Sequence, residues 1–264
     1  MSAPVSSLDM LGRQFDFWWA LYRRTFRGNV VSSFFFPLFN ALAMGVLLGG
    51  YVKVDPARLE GATSYLAFVV PGLLAGNAMM TGFGDASYPV VGALKWDRTY
   101  YAMQASPLRV RDIVNGHLGL MAFRFLVASS VFVLVLAPFG VFATWWGALG
   151  AVVVGVFVGL AFALPMYALS ARLGEETWFT LLWRVGVMPL FLFSGAFFPL
   201  SNLSPPLSAL AKLMPLWHGV DLARMLCLDT WDGPQALLHI GYLGALSVVF
   251  YLVSVRELER RLQH

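Results

Sequence analysis

Charge is scarce in this sequence. Only 12% of its 264 residues are Asp, Glu, Lys or Arg, about half the roughly 25% of a typical soluble domain. Such a chain lacks the polar surface to cover a folded body in water. A soluble globule is excluded, and lipid must cover much of the molecule. Cysteine is nearly absent. Cys227 stands alone, so no internal disulfide can form, and it reads as a small apolar filler. No G-x-x-x-x-G-K-S/T occurs, so the chain has no P-loop for ATP. There is no H-E-x-x-H and no paired-cysteine site. His117, His218, His239 and His264 are scattered, without a second ligand at helical spacing, so no metal is expected. Acids are missing from the middle of the apolar stretches, where ion-driven pumps keep them. Asp85 sits at the end of one. Glu175 and Glu176 are adjacent and would point apart on a helix, a poor acid/base pair. Asp229 and Asp232 read as solvated loop charge. No catalytic residue is expected.

What is abundant is apolar: 59% of the residues are hydrophobic. Six long runs cover about 30–50, 64–84, 113–139, 144–170, 178–198 and 235–255. Each matches the roughly 20 residues that a helix needs to cross a bilayer core. With short connections they nearly exhaust the chain, so 1–264 reads as a single all-α transmembrane domain of six spans. The first run begins too late and continues too long for a cleavable signal peptide.

The Lys and Arg residues gather in alternate gaps. With the N-terminus inside, twelve of the eighteen fall on the cytoplasmic side: Arg13, Arg23, Arg24, Arg27, Lys95, Arg98, Arg109, Arg111, Arg172, Arg256, Arg260 and Arg261. Four fall outside: Lys53, Arg58, Lys212 and Arg224. Arg124 and Arg184 lie within runs, and Arg124 is expected to snorkel to the cytoplasmic surface. This positive-inside bias puts both termini in the cytoplasm. It also explains the net charge of +4 without nucleic acid.

Two segments outside the runs have character of their own. Residues 8–28 place Leu8, Leu11, Phe15, Trp18, Trp19 and Tyr22 at roughly helical spacing against Arg13, Arg23, Arg24 and Arg27. This suits an amphipathic helix in the interface, with the Trp pair at headgroup depth. Residues 199–234 hold Pro199, Pro205, Pro206 and Pro215, too many helix breakers to span. Two short helices, about 206–214 and 217–227, are expected there.

Three stretches carry a family likeness: LYRRTFRGNVVSSFFFPL at 21–38, YPVVGALKWDRTYYAMQASPLRVRDIVNGHL at 88–118, and GAFFPLSNLSPPLSALAKLMPLWHGVDLARML at 195–226. The chain resembles the integral membrane subunit of type-2 ABC exporters. It looks most like the branch that includes nodulation lipooligosaccharide exporters and actinobacterial drug exporters. The resemblance implies a bacterial inner-membrane permease that binds no cofactor itself. ATP and Mg would belong to a separate ABC ATPase subunit, and a second permease chain, identical or related, would complete the path. It implies a coupling helix at 93–106 seated in the ATPase, with Leu94, Lys95, Trp96, Asp97 and Arg98 as contacts and Ser106 and Pro107 closing the segment. An aromatic flanked by both charge signs makes a plausible anchor. Glu175 and Glu176 would meet the ATPase or pair with Arg184. Residues 199–228 would form an extracellular re-entrant gate, carried by Phe197, Phe198, Pro199, Asn202, Pro205, Pro206 and Pro215. The expected cargo is amphipathic, lipid-linked or drug-like, because no run offers a row of charges. A lipid-modifying enzyme would need clustered His, Asp or Glu near a headgroup plane. A channel would need a polar lining.

Overall fold

The computed structural model describes residues 59–173 and 177–263, together with Trp19, Ala20, Arg23, Phe35, Leu38, Phe39 and Ala43. Most of the expected first span at 30–50 and most of the interfacial helix, including Trp18, Arg24 and Arg27, lie outside the described residues. So do Glu175 and Glu176. Trp19 and Arg23 are helical, and the Trp19 ring meets Phe123 edge-on at 5.3 Å.

Regular structure among the described residues is entirely helical. Helix α1, Tyr65–Ala86, starts where the Ser64 side chain accepts the Ala67 N–H at 3.1 Å, satisfying one of the orphan donors of a first turn. The chain kinks at Ser87 and continues as α2, Tyr88–Lys95, with a proline in its first turn, where no N–H is needed. A six-residue α3, Thr99–Gln104, follows. Helix α4, Val110–Leu136, opens with the Arg109 N–H donating to the Asp112 carboxylate at 3.1 Å. Helix α5 is Trp145–Leu173. Then come α6 (Thr177–Leu182), a π turn (Trp183–Val187) and α7 (Met188–Phe193). The hairpin helices α8 (Pro205–Leu213) and α9 (Pro215–Cys227) precede the long α10, Gly233–Gln263.

Among the described residues, four helical stretches are long and apolar enough to cross a membrane: Tyr65–Lys95, Val110–Phe139, Trp145–Leu173 and Gly233–Gln263. They fall on the second, third, fourth and sixth runs. The fifth run is a broken apolar helix of 17 residues, Thr177–Phe193. It stops short of 198 because the chain turns at Gly195, whose φ of +79° suits glycine. The sixth run, expected at about 235–255, is part of a longer helix. Helix α10 runs unbroken to Gln263, and its final turns carry an Arg260–Glu257 pair at 3.2 Å. At 31 residues it extends about 46 Å, well beyond a hydrocarbon core of about 30 Å.

Helix α5 is the centre of the bundle, packing against α1, α4, α9 and α10. Small residues make the close approach possible. Gly72 and Gly76 on α1, and Gly155 and Gly159 on α5, each repeat at a spacing of four, the pattern that lets membrane helices touch backbone to backbone. Where these glycines lack side chains, neighbours fill the space: Phe191 over Gly76, Ser129 over Gly155 and Phe125 over Gly159. Two apolar clusters result. One, around Phe68, Leu74, Phe132, Val158 and Val220, lies towards the α8–α9 hairpin. The other, around Tyr100, Ile113, Met121, Tyr167 and Leu258, lies towards the α2–α3 elbow. Helix α10 buries one face only and leaves Leu237, Leu238, Val248, Val249 and Leu252 exposed. Such an apolar flank is stable against lipid and not against water.

Candidate functional site

The elbow between α1 and α4 has two faces. The first is open. Lys95, Trp96, Asp97 and Arg98 are all exposed, with Trp96 at 59%. Their backbone is nevertheless ordered: the Trp96 and Asp97 N–H groups both donate to the Gly92 carbonyl, at 3.0 and 2.9 Å. Arg98 adopts a left-handed conformation, φ 50°, and so reverses the chain into α3. Left-handed backbone is uncommon and costly for a residue with a Cβ. The expected single helix over 93–106 is therefore two helices joined by a three-residue corner, Trp96, Asp97 and Arg98. Leu94 differs from its neighbours: at 4% exposed it belongs to the elbow-side core. Ser106 and Pro107 are exposed, and the Ser106 hydroxyl bonds back to the Met103 carbonyl.

The second face of the elbow is closed. Ser170 of α5 donates to the Ala86 carbonyl at 2.8 Å, at the kink between α1 and α2. One helical turn earlier, the Tyr167 hydroxyl donates to the Tyr100 hydroxyl at 2.9 Å, and Tyr100 pairs with His117 Nδ1 of α4. Arg124, expected to snorkel, instead reaches across to Asp85 at 3.1 Å. Each charge needs a partner in an apolar setting, and the Asp85 carboxylate, only 10% exposed, supplies one.

At the opposite end, α8 and α9 form the expected pair, separated only by Met214. Pro205, Pro206 and Pro215 each sit in a first helical turn, so they start helices here rather than merely stop them. Pro199 and Asn202 belong to a short 3-10 turn. Phe197 is tied to α1, since its carbonyl accepts the Tyr65 hydroxyl at 3.1 Å and its ring meets Phe191 at 4.8 Å. Phe198 is partly buried.

Two polar networks here lay outside the sequence reading. Arg224 is buried, yet its Nη1 donates to Glu60 at 2.7 Å and its Nη2 to the Gly195 carbonyl at 2.8 Å. The guanidinium lies over the Phe68 ring at 4.1 Å, a favourable cation–π geometry. In the second network, His239 Nε2 and the Gln235 amide both reach Asp221 Oδ2, at 2.9 and 2.8 Å. His239 Nδ1 lies 2.8 Å from His218 Nδ1, and His218 stacks on Tyr242 with centroids 3.9 Å apart. Both networks border a cavity of about 550 Å³ that also touches Lys212, Trp217 and Asp232. The partners lie 14 to 164 residues apart in the sequence, so spacing along one helix does not reveal them. Among the described residues, no group of three or more His, Cys, Asp or Glu side chains is placed to hold a metal.

Burial, and then the neighbouring His239, push His218 down to about 4, with Asp221 pulling the other way. A His218 released from this packing would titrate near 6.5. Between those values the released form binds a proton that the packed form refuses, so packing is strongest above about 6.5 and weakens as pH falls towards 4. The melting temperature should therefore drop on acidification over this range. His218→Phe, which keeps the ring stack on Tyr242, should flatten that dependence.

The comparisons with known proteins agree with this architecture. The family model described as "ABC-2 type transporter" matches residues 15–228. Nodulation protein J of Sinorhizobium fredii is 30% identical over 252 residues, covering 93% of this chain and 94% of the relative. Nodulation protein J of Rhizobium leguminosarum bv. viciae is also 30% identical over 252 residues, with 93% and 95% covered. The inner membrane transport permease YadH of Escherichia coli is 24% identical over 245 residues, with 92% and 93% covered. A match across most of the chain, on a bundle whose described residues include four helices fit to span a bilayer, makes this polypeptide a membrane-embedded transport permease of the ABC-2 type transporter family.

Proposed function

We propose that the chain is the permease subunit of an ATP-driven exporter in a bacterial inner membrane, working with a separate ABC ATPase and a second permease chain. The reading has six spans: the four long helices, the broken Thr177–Phe193 helix, and the apolar run at 30–50. Both termini are cytoplasmic by the distribution of Lys and Arg. The observation that carries the proposal is the elbow. An ordered corner presents Lys95, Trp96, Asp97 and Arg98 to solvent, while Tyr100 on one side of it and the Ala86 carbonyl on the other are bonded into the bundle. An exposed Trp between charges of both signs is a poor surface for water and a good anchor for a protein groove. The ATPase closes on ATP, pushes this corner, and the bundle tilts to open the α8–α9 end. The cargo is amphipathic, lipid-linked or drug-like and moves between the two permease chains. Membrane lipid surrounds the spans.

Two results test this. Trp96→Ala with Arg98→Ala should weaken co-purification of the ATPase at least tenfold, and unchanged recruitment removes the interface. Efflux from membrane vesicles holding the complex should stop when ATP hydrolysis is blocked by vanadate. Efflux that persists contradicts an ATP-driven mechanism and favours a passive path.

A further inference from the structure

We infer that Tyr100 is the positioning residue that latches the elbow to the spans, so that displacement of the corner at Trp96 reaches α4 and α5 through one buried hydroxyl. This rests on the proposal that the ATPase pushes the elbow, and it names the part that transmits the push.

Helix α3 has six residues, and Tyr100 is its one buried side chain. Its neighbours Tyr101 and Ala102 are exposed. A helix this short has little stability of its own, so its position depends on its contacts: Tyr100 in the core, Met103 packed beside it and a long 3.5 Å bond from the Tyr101 hydroxyl to the Arg261 carbonyl. That residue is wholly buried, and its hydroxyl serves two helices at once. It accepts from Tyr167 of α5 at 2.9 Å and faces His117 Nδ1 of α4. With Tyr167 donating on one side, the Tyr100 proton is left to serve His117 Nδ1 when that nitrogen is unprotonated. All three polar groups are buried, where an unmade hydrogen bond is costly. The three rings also meet pairwise at 5.8 to 6.4 Å.

The anchoring on α5 is what makes this a lever rather than a local packing detail. Tyr167 holds the far end of the elbow. Ser170, three residues on and so on the same helix face, holds its near end at the Ala86 carbonyl. One turn of the central helix therefore grips the elbow on both sides of the exposed corner. Trp96 is only four residues from Tyr100, too short a link to absorb a push by flexing. Removing the Tyr100 hydroxyl leaves Ser170 in place and frees only the transmitting side.

The test uses the permease–ATPase complex with the native Cys227 changed to alanine and one environment-sensitive fluorophore on an introduced cysteine. One label sits at Ala102→Cys on the elbow, the other at Leu210→Cys on the exposed face of α8. ATP with vanadate is the only ligand needed. In the wild-type background both labels should respond. In Tyr100→Phe the elbow label should respond as before, while the α8 response falls at least threefold. Tyr167→Phe breaks the same relay from the span side without touching the elbow, and should give the same result if Tyr100→Phe fails to assemble. An undiminished α8 response in these variants overturns the latch and leaves the ATPase-contact proposal standing. A wild-type elbow label that ignores ATP and vanadate overturns both. A lowered melting temperature with full α8 response in the folded fraction assigns Tyr100 a purely structural role and also overturns it.

Discussion

Gly82→Ala should destabilise the bundle by about 3 kcal/mol, the upper end of what overpacking costs, although it adds a single methyl. A Cβ at this position would sit 2.3 Å from the Gly159 carbonyl oxygen and 3.2 Å from the Ala163 nitrogen. Both are backbone atoms of α5, so no rotamer change relieves the contact, and α1 must separate from α5 along its length. Gly84→Ala, two residues away, provides the control. Nothing lies within 4 Å of its Cβ position, and alanine favours helix over glycine by about 1 kcal/mol. Thermal unfolding in detergent should show a clear loss for Gly82→Ala and none for Gly84→Ala. Equal effects would contradict the close α1–α5 approach.

Arg224→Met should cost about 2–3 kcal/mol, and Glu60→Ala should cost at least as much. In the first variant, the Gly195 carbonyl loses its donor, but Glu60, about 40% exposed, can still find water. The penalty therefore stays below the roughly 3–5 kcal/mol of breaking a fully buried pair. In the second variant the cation stays enclosed with its countercharge gone, the more expensive direction. Arg224→Lys should not rescue, because an ammonium cannot make the forked contact to Glu60 and Gly195 while lying flat on Phe68. Urea unfolding of the three variants checks the order. If Glu60→Ala is neutral, the ion pair does not hold the α9 end of the bundle to the start of α1.

The long helices were legible because a bilayer demands an apolar run of fixed length, and the runs containing Phe68, Phe132, Val158 and Leu243 supply it. The hairpin was legible from its prolines. What stayed hidden were the pairings. Glu60 and Arg224 are 164 residues apart, and each alone looks like ordinary loop charge. His218 and His239 are 21 residues apart on different helices, so no helical spacing relates them. Arg124 was read as snorkelling because its partner Asp85 belongs to another helix. Tyr100 was one aromatic among many in a loop that seemed to face only outwards. The break at Arg98 went unseen because no glycine or asparagine marks the left-handed turn. Leu94 was grouped with its exposed neighbours because the corner begins one residue later than the run of charge suggests.

The most direct measurement is the side of the membrane on which Trp96 lies. A single cysteine placed there by Trp96→Cys, with Cys227 changed to alanine, would be offered a membrane-impermeant maleimide in intact cells. The expected result is no labelling until the cells are broken open, and protection afterwards when the ATPase is bound. Labelling in intact cells would put the elbow on the outer face, beyond reach of any cytoplasmic ATPase, and would contradict the coupling mechanism.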